Sequence, residues 1–335
     1  MTNPCFRVKA VLSSTGRASM TAAAACLCGF MPTAWASLPD DSIFVRQVRG
    51  GFGDSLGFDT GLATSAYSCG IAGVAALGGD INEDDAGDII FAFAYPQGGT
   101  WWLKADFRTH RDQHEVWDLW LLCARRSIAA LGGPGASTVP LFIRSYANLG
   151  DNVDYNTGYS TSSWVCGSVG YEALGGDINE DGTATILRMY MYQKAGTWWI
   201  RSDFHSHHDH ENWNRLDVLC ARTSVATMGA PSVSSSKDIF ITEYSAIPDN
   251  ARYDTGISVG SFVCGVVGME AYDGDIEEHD TGDIIQAYAY RDGGTWRIRA
   301  DFRTHNNHEN WNINLLCMKS GPAKWQAPLL LACNQ

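Results

Sequence analysis

The stretch that decides the fold is "SCGIAGVAALGGDINEDDAGDIIFAFAY" (68–95). It returns as "VCGSVGYEALGGDINEDGTATILRMYMY" (165–192) and again as "VCGVVGMEAYDGDIEEHDTGDIIQAYAY" (263–290). Each copy is followed by a second shared block: "GTWWLKADFRTH" (99–110), "GTWWIRSDFHSH" (196–207) and "GTWRIRADFRTH" (294–305). A Trp and then Leu-Cys come next in every copy. Cys69, Cys166 and Cys264 are spaced by 97 and 98 residues, and Cys123, Cys220 and Cys317 by 97 and 97. The chain is therefore an internal triplication, with a unit long enough to close its own core, unlike the short units of a solenoid. Gly- and Ser-rich linkers fall between copies, at 132–137 and 229–236. The boundaries expected are 1–36 for a leader, 40–130, 138–227 and 236–320 for the repeats, and 321–335 for a tail.

Within a copy the apolar period is two. Trp296, Ile298, Ala300 and Phe302 alternate with Arg297, Arg299, Asp301 and Arg303, and the other copies match. Such alternation marks a half-buried antiparallel strand. The strand before it joins through Asp292-Gly293-Gly294, a hairpin signal. With the opening, first-Cys and second-Cys segments this predicts five or six strands per copy and almost no helix. The expected fold is all-β, three tandem antiparallel β-sandwich-like repeats. One disulfide per copy is the economical pairing, Cys69–Cys123, Cys166–Cys220 and Cys264–Cys317, joining the second strand to the last. Each bridge stabilises by roughly 4 kcal/mol on a chain-entropy basis.

Composition agrees with this. Of 335 residues, 35 are Gly and 18% are charged, below the usual share for a soluble domain, as suits strands and turns. A formal charge of -13 argues against nucleic acid as a partner, because phosphate binding needs an excess of Lys and Arg. Residues 1–36 read as a secretory signal: Arg7, Lys9 and Arg17, an apolar run from Met20 to Met31, and Ala34-Trp35-Ala36 as the cleavage site. That run is too short to span a bilayer, and no later segment is apolar enough. Cleavage would remove three basic residues and no acid, deepening the charge from -13 to -16. It would also leave seven cysteines in an exported, periplasmic or extracellular protein, where disulfides are the default. Cys333 is the odd one, either free or linking two chains as a dimer.

Three constellations recur. The first is an acidic loop after each first-Cys strand: Asp80, Asn82, Asp84 and Asp88; Asp177, Asn179 and Asp181; Asp275, Glu277, Asp280 and Asp283. Oxygen ligands at alternate positions of a tight loop suit Ca²⁺; a turn bonded to its own backbone accounts for the same residues. Over about ten residues per copy this loop resembles the calcium loops of FG-GAP repeats, although the 97-residue period does not match that family's shorter blades. The second is Asp106 with His110 and Trp117, repeated as Asp203, His207 and Trp213 and as Asp301, His305 and Trp311. These could hold a ligand or a metal, or form a hydrogen-bonded loop under a packed Trp. Zn²⁺ is the weaker metal reading, since the zincin spacing is absent and only copy two crowds four His together. The third, Asp59-Thr60-Gly61 with Asn156-Thr157-Gly158 and Asp254-Thr255-Gly256, is read as an Asx-Thr-Gly turn.

Trp102, Trp199 and Arg297 are expected on the solvent side with Asp106, Asp203 and Asp301. A flat ring beside charges suits a shallow sugar site, and suits a contact between repeats equally well. No nucleophile with its base and no phosphate-cradling loop is present. Three equivalent weak sites point to avidity more than to catalysis. The expected function is a secreted multivalent carbohydrate-binding protein of lectin or adhesin type, with a glycan or cell-surface ligand and Ca²⁺ assistance. An exported metal-dependent hydrolase and a structural surface or matrix protein are the alternatives. The strand order is similar, at fold level and without a matched motif, to that of H-type lectin sandwiches, which work as trimers; three tandem copies can form a pseudo-trimer.

Overall fold

The structure is a computed structural model that describes residues 37–53, 57–77, 89–108, 116–134, 138–150, 152–174, 187–204, 212–272, 284–301 and 310–330. Among these there is no helix. Copy one contributes β1 (Ile43–Gly53), β2 (Phe58–Ala63), β3 (Tyr67–Leu77), β4 (Ile89–Gln97), β5 (Thr100–Arg108), β6 (Val116–Arg125) and β7 (Ala129–Leu131). Copy two contributes β8 (Leu141–Tyr146), β9 (Leu149–Gly150), β10 (Val153–Ser160), β11 (Trp164–Leu174), β12 (Leu187–Lys194), β13 (Thr197–Phe204), β14 (Asn212–Arg222) and β15 (Ala226–Met228). Copy three contributes β16 (Ile239–Pro248), β17 (Arg252–Ser258), β18 (Phe262–Tyr272), β19 (Ile284–Asp292), β20 (Thr295–Asp301), β21 (Asn310–Lys319) and β22 (Ala323–Leu330).

The expected alternation appears in the strands after the hairpin. Trp101, Leu103, Trp198, Ile200, Trp296 and Ile298 are all within 2% of complete burial, while Lys104, Arg201, Arg297 and Arg299 stay half-exposed. The tight turns are two residues long, Gly98-Gly99, Ala195-Gly196 and Gly293-Gly294, each with positive φ at both positions. This is the geometry that matches the right-handed twist of a hairpin.

Each copy divides its strands between two sheets. In copy one, β3, β6 and β1 lie side by side in one sheet and β2, β5 and β4 in another. The two halves are tied by Trp101, whose indole N–H donates to the Tyr67 carbonyl at 2.9 Å; Trp198 to Trp164 (2.7 Å) and Trp296 to Phe262 (2.8 Å) repeat the bond. All three disulfides form as paired in the sequence reading. The bridges link β3 to β6, β11 to β14 and β18 to β21, rather than the second strand of each copy to its last, because β2 and its counterparts β10 and β17 sit at the far edge of the other sheet. Cys69 and Cys123 face each other directly in the ladder with Cα atoms 4.1 Å apart, so each bridge lies within one sheet between neighbouring strands.

The sheets run across copy boundaries. The sheet orders are β17-β20-β19-β3-β6-β1-β22, β2-β5-β4-β11-β14-β8-β7 and β10-β13-β12-β18-β21-β16-β15. The hairpin half of copy one thus joins copy two, that of copy two joins copy three, and that of copy three returns to copy one. The last strand of each copy adds in parallel to the first strand of the next. β22 does so against β1, where Ile43 faces Ala323, and closes the ring. All other pairings are antiparallel.

The three first-Cys strands β3, β11 and β18 touch one another at the centre, on a pseudo-threefold axis. The shared Cys-Gly-x-Ala/Val segment makes this possible. A Cβ on Gly70 would lie 2.7 Å from Val169 Cγ2, one on Gly167 2.6 Å from Val267 Cγ2, and one on Gly265 2.8 Å from the Ala72 Cβ. In each case the neighbour's carbonyl oxygen would be 2.9 Å away as well, so the obstacle is backbone that cannot turn aside. Only hydrogen fits at that position.

Two substitutions test this account. Gly167→Val forces overpacking at the axis and is expected to destabilise by about 3 kcal/mol, lowering Tm by on the order of 10 °C in a thermal melt. Ala195 holds a φ of 51° where the other two copies have glycine. Ala195→Gly relieves that conformation and should raise stability by about 1 kcal/mol in a denaturant titration; an unchanged midpoint would contradict it.

Candidate functional site

The exposed rows of the hairpin halves are the candidate site that the repeats share. In copy one Trp102 lies between Asp59 on β2 and Tyr95 on β4. In copy two Trp199 lies between Asn156 and Tyr192, and in copy three Arg297 lies between Asp254 and Tyr290. Registered residues share a face, so each row sets an acid or amide, a planar group and a Tyr ring side by side; in copy three the Tyr290 hydroxyl itself is buried. Trp102, Trp199 and Arg297 are half-exposed, as the period-two reading expected.

Local hydrogen bonds hold the planar groups. The Trp102 indole donates to Thr100 Oγ1 (3.2 Å) and that of Trp199 to Thr197 Oγ1 (2.9 Å). Lys194 Nζ stands 4.8 Å from the Trp199 ring centre, covering part of one face. Arg297 is drawn to Asp292 at 3.1 Å and Asp254 at 3.9 Å. The Asx-Thr-Gly segments are turns in all three copies. Gly61 N–H donates to Asp59 Oδ1 (2.9 Å) and Thr60 Oγ1 to the Trp101 carbonyl (2.7 Å), and the same bonds recur at 156–158 and 254–256.

In copy two a small charge network forms beside the row. Arg201 pairs with Asp154 at 2.9 Å and bonds Asn152 at 2.7 Å, while Lys194 reaches Asp154 at 3.4 Å. Burial works against ionisation of Asp154, but bonds from the Tyr192 hydroxyl and the Arg201 guanidinium outweigh it and hold the carboxyl below the usual range. The same contact, added to burial, pushes the Tyr192 phenol well above its usual value.

The other candidates are placed differently. Asp106, Asp203 and Asp301 are each 1% exposed, although the alternation assigns them to the solvent side. Near the end of the sheet, basic side chains close over that face: Arg188 lies 3.4 Å from Asp203, and Arg299 2.8 Å from Asp301. Arg188 also contacts Glu270 of the next copy at 2.6 Å, so this charge pair belongs to the seam between copies. Trp117, Trp213 and Trp311 are fully buried, and the Trp311 indole donates to Asp249 Oδ1 at 2.8 Å.

His110, His207 and His305 lie outside the described residues, as do Cys333 and the proposed calcium ligands Asp80, Asn82, Asp84, Asp88, Asp177, Asn179, Asp181, Asp275, Glu277, Asp280 and Asp283. The strand ends that flank these segments are neighbours. Leu77 is registered with Val116 and Ile284, Leu174 with Asn212 and Ile89, and Ala271 with Trp311 and Leu187. The described strand ends that flank the acidic and His-Trp segments thus meet three by three, each meeting holding ends from two copies. Among the described residues no group of three or more His, Cys, Asp or Glu is gathered to hold a metal. None of their helices could cross a membrane, since there are none.

The tyrosines beside the planar groups were legible as a pattern that the sequence reading did not use. "FAFAY" (91–95), "MYMY" (189–192) and "AYAY" (287–290) alternate small or flexible inward residues with aromatic outward ones. Ala92, Ala94, Met189, Met191, Ala287 and Ala289 are buried, and the aromatics form ladders on the outer face.

The depressed Asp154 carboxyl contributes stability that is in place above the ordinary carboxylate pKa and is lost as pH falls through its lower folded value. The Tm difference between the native chain and Asp154→Asn should accordingly shrink from pH 6 to pH 3; a constant difference would contradict it. Compared with known family models, curated proteins and solved structures, the chain matches none.

Proposed function

We propose that the protein is an exported multivalent carbohydrate-binding protein of lectin or adhesin type. The observation that carries this reading is the cyclic exchange of hairpin halves, which sets three homologous rows around one axis. Tethered sites of this kind raise avidity by orders of magnitude when a ligand surface meets more than one. The half-exposed Trp102 and Trp199 offer flat apolar faces to a sugar ring, and Asp59, Asn156, Tyr95 and Tyr192 offer hydroxyl partners. Copy three, with Arg297, is the weakest of the three for stacking and the best for an anionic group. Three disulfides between neighbouring strands fit an oxidising compartment.

Ca²⁺ enters this reading through the acidic loops that connect β3 to β4, β11 to β12 and β18 to β19. Recurrence of the acidic segment in all three copies would give a calcium-assisted surface three equivalent parts. Glycans or glycosylated cell surfaces are the partners that follow.

The test is a glycan array probed with the mature chain, with and without EDTA, alongside Trp199→Ala and the double variant with Trp102→Ala. The single variant should weaken array binding by about tenfold through lost stacking and avidity, and the double variant should lose more. EDTA should lower the signal. Absence of binding to any glycan would overturn the reading.

A further inference from the structure

Three junctions join the copies, and one differs from the others. Where copy one's hairpin meets copy two, Arg215 donates to the Ala94 carbonyl at 2.9 Å and lies 4.5 Å over the Phe93 ring. Where copy two's hairpin meets copy three, Asn314 donates to the Met191 carbonyl at 3.2 Å. Both polar side chains draw the neighbouring hairpin close. In copy one the position three residues before the second Cys is Trp120, where copies two and three have Asp217 and Asn314. Trp120 stacks on Tyr288 of copy three instead, with centroids 4.2 Å apart and planes 10° from parallel.

The closing strand differs too. β7 and β15 are three residues long, whereas β22 has eight and brings Trp325 alongside. Trp325 packs at 5.2 Å against Trp296, with the Arg291 guanidinium 5.1 Å above its ring. Between this strand and the stacked pair lies a cleft of about 390 Å³, a size that takes a small ligand.

The chemistry of the cleft selects its occupant. Tyr288, Tyr290 and Trp325 are half-exposed rings on its walls. Trp120 is 2% exposed and its indole N–H has no partner among the described residues; the Tyr290 hydroxyl has none either. Buried donors left unpaired cost about 1–3 kcal/mol each, so a ligand acceptor that reaches them through a small shift of the cleft wall is favoured there. Gln47 and Gln286, 6% and 8% exposed, add amides to the lining. Rings with hydroxyl partners suit a saccharide. The charged side chains are Arg49, Arg291 and Asp118, two cations against one acid on a chain of net charge -13. That balance disfavours a cation among the rings and favours an anion at the rim.

We propose that this cleft binds a carboxylate-bearing saccharide, with its ring on Trp325 and Tyr290 and its carboxylate on Arg49 and Arg291. The proposal rests on the carbohydrate-binding reading and adds a fourth site, at the junction of copies three and one, with its own ligand class.

The experiment titrates the mature chain with tetragalacturonate, 3′-sialyllactose and neutral maltotetraose, followed by tryptophan fluorescence and calorimetry. At least one acidic probe should bind, with maltotetraose about tenfold weaker or worse. Arg49 is exposed, so Arg49→Gln should melt like the native chain and weaken the acidic probe about tenfold. Trp325→Ala should abolish binding, and Tyr290→Phe, which keeps the ring, should weaken it severalfold. Equal binding of acidic and neutral probes, no binding of either acidic probe, or binding indifferent to Arg49→Gln and Trp325→Ala would overturn the proposal. Array binding that survives the cleft variants but falls with Trp102→Ala and Trp199→Ala would sink the cleft alone; an array without signal would sink both readings.

Discussion

The contact on which the rest of the structure depends is the meeting of three glycines with three neighbouring strands at the axis. Gly70, Gly167 and Gly265 each follow a bridged cysteine, and each receives the residue three places after the next copy's cysteine. With hydrogen at that position the strands approach until one carbonyl sits 2.9 Å from where a Cβ would be. The disulfides hold these strands to their own sheet neighbours, so the axis is lined by rigid ribbons. Everything outside the axis, including the exchange of hairpin halves, is arranged around that spacing.

Exchange of strands has a consequence for stability and for surface. The central part of each sheet carries a copy boundary, so the seam between copies is made of ladder hydrogen bonds as well as side-chain contacts. The ring closes because β22 repeats in parallel what β7 and β15 do between successive copies. Closure removes the free edge that β1 would otherwise expose. The edges on the hairpin side, β2, β10 and β17, carry Asp or Asn turns that interrupt their pairing with a bulge.

Within this threefold frame the copies have diverged where they meet. Arg215, Asn314 and Trp120 answer the same geometric demand with a charged reach, an amide bond and a ring stack. A polar reach closes the junction, while a stack holds the hairpin at ring thickness and leaves room beside it. Pseudo-symmetry therefore yields repeated rows on the hairpins, and its local breakdown yields a cleft lined by a different set of side chains.

Much of this was written in the sequence. The 97-residue period, the cysteine spacing and the period-two strands determined an all-β triplication with its three disulfide pairs, because these are local and parity constraints that need no partner. The half-exposed Trp102 and Trp199 followed from the same alternation. The burial of Asp106, Asp203 and Asp301 did not, since alternation places a side chain on a face but is blind to what covers that face, here Arg188 and Arg299 for two of them. Nor did the fate of Trp117, Trp213 and Trp311, which the core absorbs whole. Which copy completes which sheet, and that Trp120, Tyr288 and Trp325 from opposite ends of the chain wall one cleft, was decided by the tertiary structure alone. Both follow from contacts between residues far apart in the chain, up to the pairing of Ile43 with Ala323, whose proximity no local pattern encodes.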